Sequence, residues 1–404
     1  MKILFIHQNM PGQFKHLAPA MARAGHEVVF LTQRADVDLP GVRRATYAKP
    51  RAAHASTHHY VRLFENSVLA GQQVVRAGLE LQKKGFVPDV IVAHPGWGEA
   101  LFLKDLWPKV PLLNFCEFYY GGEGSDIGFL AEEPADLDTI CRVRARNASH
   151  LLSLEACDAG VTPTHWQHSR HPTPFRDKIR VIFDGIDSGI VRPTPKASFT
   201  LPNGRSLTAA DEVVTYVARN LEPYRGYPNF IRALPELLSQ RPDAQVVILG
   251  GDEVSYGRSP PDAANWREHM AREVPLDPER VHFAGKLPYA RYLALLQTSA
   301  LHIYLTVPFV LSWSCLEAMS AGCLVLASDT APVREAIEHG VNGLLCDFHS
   351  PADIAAKAAN ALARRAELAP LRRAARQTVL ERYDLSLCLP AQMRLVEEVA
   401  GMRK

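Results

Sequence analysis

The chain has 404 residues, of which 47% are apolar and 22% charged, a composition typical of globular proteins. This length exceeds one ordinary domain and predicts two domains, each with its own hydrophobic core. Because 45 Lys and Arg face 43 Asp and Glu, the net charge is only +2, which excludes binding of nucleic acid or anionic lipid through overall charge and leaves only a local patch for such partners.

Short apolar runs alternate with helical periodicity through the first half of the chain. The runs KILFI, HEVVFLT, DVIVAH and PLLNFCEF predict strands, and a helix around FKHLAPAMARAG lies between the first two. A repeated order of strand, helix and strand predicts a parallel sheet covered by helices. The run RVIFDGID closes this series, and we expect a first domain over residues 1–190.

A second series of the same kind follows a stretch rich in Pro, Ser, Thr and Gly. That stretch, residues 191–212, predicts a linker or a surface excursion of the chain. Beyond it, VVTYVARN, AQVVILGG, VHFAGKL, LHIYLT, CLVLAS and GLLCD predict strands of a second α/β domain over residues 213–385. Two such halves predict a cleft between them, and we expect the helix at 386–404 to pack back on the first domain.

Cysteine usage and the N-terminus bear on the compartment. The seven cysteines are scattered without a C-x-x-C pair, which predicts reduced packing residues. The first apolar run ends at His7 without a small-residue cleavage site, and no segment approaches the roughly 20 apolar residues of a membrane span. We therefore expect a cytoplasmic protein, and peripheral membrane contact remains an alternative.

Two arginines follow the first predicted strand of the second half, in VARNLEPYRG. Arg219 comes directly at the strand end, and Arg225 precedes a glycine and a helix. Ligands bind at the carboxyl ends of parallel strands, where two guanidiniums can neutralise a diphosphate. The alternative is a pair of solvated loop arginines.

A carboxylate stands among apolar neighbours in PFVLSWSCLEAMSAG. Glu317 opens a helical pattern beside Leu316 and Met319, where desolvation of its charge is costly without a partner. It therefore either caps backbone groups or binds a polar ligand.

Together, VARNLEPYRG and LEAMSAGCLVLASDTAPVREAI resemble the nucleotide-sugar-binding half of the family 4 retaining glycosyltransferases of the GT-B type. The resemblance covers residues 213 to 385 well and the first half more loosely. It implies two Rossmann-like domains facing each other across a cleft. It also implies that Arg219 and Arg225 grip the donor diphosphate, although the family usually has Lys where this chain has Arg225.

The family carries two glutamates separated by seven residues, of which the second holds the donor ribose. Glu317 matches the second glutamate, whereas Phe309 stands at the first, which normally lies near the transferred sugar. We expect Phe309 either to form an apolar wall of the sugar site or to pack into the domain core. The turn LSWS that follows is expected to offer backbone N–H groups to phosphate or sugar oxygens, and its donor-site residues are Ser312, Trp313 and Ser314.

In the first half, the resemblance places two loops at the reacting sugar. Gly12 lies in the turn after the first strand, where a tight turn explains it equally well, and His94 ends the strand DVIVAH. A lone histidine is often structural, but the position of His94 at a strand end matches the family's histidine, so we expect it to line the sugar pocket beside the Gly12 loop. The acceptor candidates are either recognition residues or parts of a helix start and an ordered loop, namely Trp97, Glu117, Tyr119 and Tyr120.

The resulting prediction is a glycosyltransferase that moves a sugar from a nucleoside diphosphate sugar with retention, without cofactor or metal. Arg219, Arg225 and His94 are the expected catalytic residues. The acceptor stays open among a lipid carrier, a glycan, a small metabolite and a modified nucleobase. The alternatives are a GT-B-type nucleotide-sugar epimerase and a non-catalytic nucleotide-sugar-binding protein.

Overall fold

The computed structural model describes residues 1–402. Its strands are β1 (Lys2–Ile6), β2 (Glu27–Thr32), β3 (Arg43–Thr46), β4 (Val90–Ala93), β5 (Leu112–Phe115), β6 (Ala159–Thr162), β7 (Ile179–Val181), β8 (Ser198–Thr200), β9 (Ser206–Thr208), β10 (Val213–Asn220), β11 (Gln245–Gly251), β12 (Val281–Gly285), β13 (Leu301–Tyr304), β14 (Val325–Ser328) and β15 (Leu344–Cys346). Its α-helices are α1 (Leu17–Arg23), α2 (Arg62–Lys83), α3 (Leu103–Leu106), α4 (Leu137–Arg146), α5 (Ala148–Ala156), α6 (His165–Arg170), α7 (Thr173–Arg176), α8 (Tyr227–Gln240), α9 (Trp266–Glu273), α10 (Tyr289–Thr298), α11 (Trp313–Ser320), α12 (Ala331–Arg334), α13 (Pro351–Ala363), α14 (Ala369–Arg382) and α15 (Leu385–Ala400).

The chain forms two compact units. Unit 1 contains Met1–Gly128, Glu133–Gly185 and the described residues from Ser386 onward, and unit 2 contains Phe129–Glu132 and Ile186–Leu385. The sheet of unit 1 is parallel, with seven strands in the order β3-β2-β1-β4-β5-β6-β7. The sheet of unit 2 is parallel, with six strands in the order β12-β11-β10-β13-β14-β15. The predicted pair of parallel-sheet α/β domains is confirmed.

The first strand shows how the sequence builds a two-sided core. Residues 3–6 of β1 are all 0% exposed, because helices cover both faces of the sheet. Successive side chains point to opposite faces, so Ile3 and Phe5 share a cluster with Val399 of α15. Their neighbours in the strand share another cluster with Val74 of α2. The C-terminal helix is therefore part of the core of unit 1.

The predicted domain boundaries need correction at three places. The first domain was expected to reach residue 190, but this part of unit 1 ends at Gly185 and unit 2 begins at Ile186. Residues 191–212 are not a bare linker, because β8 and β9 within them pair in antiparallel fashion and bury Phe199 and Leu207 in unit 2. The short segment Phe129–Glu132, expected in the first domain, belongs to unit 2, where the Phe129 ring lies 5.2 Å from that of Phe348. Polar, Pro-rich composition alone does not reveal such local packing. Among residues 1–402, no helix is both long and apolar enough to cross a membrane.

Candidate functional site

The two arginines predicted at a strand end lie in different environments of unit 2. Arg219 is the penultimate residue of β10 and is exposed. Arg225 ends the short 3-10 turn Pro223–Arg225 before α8 and is only 8% exposed. The chain therefore offers one solvated guanidinium in the last two residues of β10 and one buried guanidinium shortly after that strand.

The buried guanidinium of Arg225 is held by neutral oxygens. Its Nη1 donates to Thr306 Oγ1 at 2.8 Å and to Val310 O at 3.3 Å. Burial lowers the pKa of Arg225, but its interactions with Tyr304, Tyr256 and the Glu222 carboxylate outweigh burial, so that the pKa is raised and the side chain stays cationic. A desolvated cation with neutral hydrogen-bond partners favours an anionic ligand.

Aromatic rings surround this cation on one side. The Tyr256 ring centre lies 5.5 Å from Arg225 Cζ, a cation–π arrangement. Phe309 is 5% exposed, and its ring meets those of Tyr256 and Tyr224 edge-on at 5.1 and 6.0 Å. Phe309 therefore packs inside unit 2, which agrees with the second of the two arrangements expected for this side chain.

The turn before α11 departs from the expectation. Ser312 is the N-cap of α11, and its Oγ accepts from the N–H of Ser314 at 3.4 Å. The N–H of Ser312 itself donates to Tyr304 Oη at 2.9 Å. These two N–H groups, expected to face a ligand, therefore already have protein partners, because capping satisfies the first donors of a helix locally. Trp313, between them, is half-buried as the first residue of α11.

Glu317 has partners that the sequence did not suggest. The carboxylate is 8% exposed, and its Oε1 and Oε2 accept from the hydroxyls of Tyr289 and Tyr292, both at 2.7 Å. Burial and the adjacent carboxylate raise the pKa of both tyrosines, so they remain hydrogen-bond donors. Because a carboxylate has about four acceptor positions, Glu317 retains capacity for a further donor.

In unit 1, a polar network surrounds His94. The N–H of Gly96 donates to His94 Nδ1 at 3.1 Å, and His94 Nε2 lies 3.4 Å from Glu117 Oε2. Gln13 Nε2 donates to Glu117 Oε1 at 2.8 Å. Burial raises the pKa of Glu117, but the contacts of Glu117 with His94, His7 and Gln13 outweigh burial. The pKa is therefore lowered overall, and the carboxylate stays ionised. The carboxylate can accept a hydrogen bond from a hydroxyl group, and the imidazole can donate one to a hydroxyl group.

His7 joins this network from the end of β1. The N–H of Asn9 donates to His7 Nδ1 at 2.9 Å, so Nε2 carries the proton and donates to Gln13 Oε1 at 2.9 Å. Burial, with a contribution from His94, lowers the pKa of His7 to about 3. Gly12 lies against the ring, since a Cβ at this position, with φ of +50°, would stand 2.5 Å from His7 Nε2. The glycine is therefore required by close approach.

The acceptor candidates separate in the structure. Trp97 belongs with His94, whose ring it stacks on at 4.8 Å, and it remains 39% exposed. Tyr119 packs instead against the hydrophobic cluster of Cys116, and the Tyr120 hydroxyl accepts from Arg146 Nη2 at 2.7 Å. The structure brings Gly12, His94, Trp97 and Glu117 together and directs both tyrosines elsewhere, because Tyr119 packs on an apolar cluster and Tyr120 binds Arg146.

Several residues that hold the site residues in place were not predicted from the sequence. His7, Gln13, Glu222, Tyr256, Tyr289 and Tyr292 carry no motif of their own. A usable signal existed for His7, which directly follows the first strand as His94 directly follows the fourth. Among residues 1–402, no three His, Cys, Asp or Glu side chains group as metal ligands do.

Comparison with known proteins identifies the two halves of the chain. Residues 24–191 match the family model described as Glycosyl transferase family 4 group, and residues 204–378 match that described as Glycosyl transferases group 1. The chain is homologous to glycosyltransferases. The matched ranges include His94 and Glu117 in the first model, and Arg219, Arg225 and Glu317 in the second.

Proteins of similar sequence also belong to the glycosyltransferases. A glycogen synthase of Mycobacterium tuberculosis is 26% identical over 391 residues, covering 91% of this chain and 86% of the relative. A D-inositol 3-phosphate glycosyltransferase of Corynebacterium glutamicum is 24% identical over 259 residues, covering 63% of this chain and 58% of the relative.

Solved structures establish the fold type. Sucrose-phosphate synthase from Thermosynechococcus elongatus superposes with a TM-score of 0.73 at 19% identity, covering 99% of both chains. Anabaena HepE in complex with UDP-glucose superposes with a TM-score of 0.70 at 16% identity, covering 98% of this chain and 100% of HepE. The fold is therefore that of the GT-B glycosyltransferases, as predicted.

Proposed function

We propose that this protein transfers a sugar from a nucleoside diphosphate sugar to an acceptor with retention of anomeric configuration. The observation that carries the proposal is Arg225, a buried cation with neutral hydrogen-bond partners after a strand that ends at the ligand-binding edge of a parallel sheet. A departing diphosphate supplies the negative charge that such a cation stabilises, and that charge grows in the transition state.

The donor is held mainly by unit 2 in this proposal. Arg225 binds the diphosphate, and the exposed Arg219 adds a second guanidinium from the end of β10. Glu317, already oriented by two tyrosine hydroxyls, accepts a hydrogen bond from the ribose. UDP-glucose bound to HepE supports a uridine nucleotide as the first donor to test. The arginines provide the counter-charge, so no metal is required in the proposed reaction.

His94 and Glu117 of unit 1 bind sugar or acceptor hydroxyls in this proposal. The carboxylate is kept ionised by its histidine neighbours, and the partly exposed Trp97 offers an aromatic surface to a sugar ring. The acceptor remains open among a lipid carrier, a glycan, a small metabolite and a modified nucleobase. Phe309, in place of a carboxylate, leaves the donor sugar without an acidic partner at that position.

A ligand screen followed by product analysis tests the proposal. UDP-glucose, GDP-mannose, ADP-glucose and dTDP-rhamnose are compared by thermal shift, where a ligand at 100 times its Kd stabilises by about 2.7 kcal/mol. Arg225→Ala should weaken binding of the best ligand by about 1.5–3 kcal/mol, the range for hydrogen bonds to charged groups. Arg280→Ala is the matched control, because Arg280 binds only backbone carbonyls beside α8 in the described chain.

The outcomes separate the alternatives. Stabilisation by a nucleotide sugar that Arg225→Ala abolishes and Arg280→Ala preserves supports the donor site. Epimerisation or hydrolysis of the donor without any acceptor would favour the epimerase alternative, and binding without turnover over a broad acceptor panel would favour a binding protein. A product of inverted configuration, seen by proton NMR of the anomeric centre, would contradict retention.

A further inference from the structure

Glu222 lies in the sequence between Arg219 and Arg225 and is completely buried. It is 0% exposed, and its Oε2 accepts from the backbone N–H groups of Ser255, Tyr256 and Gly257 at 3.2, 3.0 and 3.1 Å. Its Oε1 is buried without a hydrogen-bond partner in the described chain. A carboxylate so completely removed from water is costly, and three N–H groups converging on one oxygen are a strong, directional anchor.

The anchored residues open the loop 252–265, which connects β11 to α9. The Asn220 side chain adds a second contact to the same end, 2.7 Å from Ser255 Oγ. Trp266 Nε1 donates to Arg258 O at 2.8 Å, directly beside this turn. The far end of the loop is held separately, because Arg272 Nη1 of α9 donates to Asp262 O at 2.6 Å. Glu222 and Trp266 therefore hold the turn at residues 255–258, and Arg272 holds the far end.

The first turn carries the ring that covers Arg225. The N–H of Tyr256 is one of the three that bind Glu222, and the Tyr256 ring lies 5.5 Å from the Arg225 guanidinium and 5.1 Å from Phe309. Moving this turn away from Glu222 would displace the ring from the cation. The guanidinium would then gain water and rotational freedom, which weakens its interaction with an anion.

We propose that Glu222 is a positioning residue that holds Tyr256 over Arg225 and thereby keeps the diphosphate-binding cation fixed and dehydrated. This inference rests on the proposed function, since it assigns Glu222 to the donor diphosphate. Glu222 acts through Tyr256 and touches no ligand. Its effect is therefore specific for the diphosphate and leaves the nucleoside part of the binding site unchanged.

The test compares a nucleoside diphosphate with its monophosphate by calorimetry, using whichever of UDP, GDP, ADP and dTDP binds the wild type best. The variants are Glu222→Ala, Glu222→Gln, Tyr256→Ala and the double variant of the two alanine changes. Arg225→Ala is the reference for the diphosphate site. Arg272→Ala is the matched control, because it releases Asp262 at the far end of the same loop.

We expect Glu222→Ala to weaken binding of the diphosphate by roughly three- to thirtyfold, the range of a lost cation–π contact. Binding of the monophosphate should weaken by less than about twofold. Glu222→Gln keeps an oxygen that accepts from the loop and should stay within about threefold of the wild type. The double variant should bind like Tyr256→Ala alone, because Glu222 acts through that ring. Arg272→Ala should leave both affinities unchanged.

Other outcomes overturn the inference in distinguishable ways. If Arg225→Ala weakens binding of the diphosphate and Glu222→Ala does not, the positioning role of Glu222 is wrong and the proposed function stands. Additive losses in the double variant, equal losses of monophosphate and diphosphate binding, or an Arg272→Ala variant that binds as weakly as Glu222→Ala would also refute it. If neither Arg225→Ala nor any nucleotide shows an effect, the proposed function fails, and the role of Glu222 fails with it. Should Glu222→Ala not fold, Glu222→Gln and Tyr256→Ala still decide the question.

Discussion

The two tyrosines on Glu317 offer a matched pair for measuring how this carboxylate is held. Tyr292 is 9% exposed and Tyr289 is 46% exposed, yet both hydroxyls donate to Glu317 at 2.7 Å. Tyr292→Phe removes a bond that water cannot replace, so we expect the free energy of unfolding to fall by about 1.5–3 kcal/mol. Tyr289→Phe exposes its oxygen partner to water, and we expect a loss within about 0.5 kcal/mol.

Thermal unfolding provides the assay. For a unit of this size, 1 kcal/mol corresponds to about 2–4 °C, so Tyr292→Phe should lower the Tm of unit 2 by about 3–12 °C. In a Glu317→Gln background the bond is between neutral groups and contributes only about 0.5–1.5 kcal/mol, so Tyr292→Phe should cost less there. Equal losses from the two tyrosine variants, or the same cost in both backgrounds, would refute the reasoning.

Three further perturbations test the packing. Phe309→Glu places a carboxylate in an aromatic cluster and should lower the Tm far more than Phe309→Leu; a stable Phe309→Glu variant would mean that the side chain faces water. Burial lowers the pKa of His302 to about 3, so this imidazole stays neutral in the folded state at pH values where it gains a proton in the unfolded state. Its contribution to the free energy of unfolding is therefore complete above pH 6.5 and falls by about 1.4 kcal/mol per pH unit as the pH drops toward 3. Urea unfolding should show this slope in the wild type and should no longer show the part due to this site in His302→Asn. Gly12→Ala should destabilise more than Gly25→Ala, because both have positive φ but only Gly12 meets a ring, that of His7. Equal losses of Tm in the two glycine variants would mean that the close approach of Gly12 to the His7 ring does not limit the side chain at this position.

Part of the candidate site was accessible from the sequence because its residues lie next to strand ends. His94 follows β4, Arg219 lies at the end of β10, and Glu317 lies in a helix that begins soon after β13. Ligand positions at carboxyl ends of parallel strands follow from topology alone. The expectation failed where local hydrogen bonding intervened, as at Ser312, whose N–H is taken by Tyr304.

The amino-acid sequence by itself determined the order of strands and helices and hence two parallel α/β units, because hydrophobic periodicity is a local property of the chain. It also determined where cations and carboxylates stand relative to the strand ends. Only the tertiary structure decided what those groups touch. Tyr292 is 25 residues from Glu317 and Gln13 is 104 residues from Glu117, and no periodic pattern encodes pairs so far apart. The packing of helices and loops on each sheet brings them together, and it therefore sets which charges are buried, which remain ionised and which remain open to a ligand.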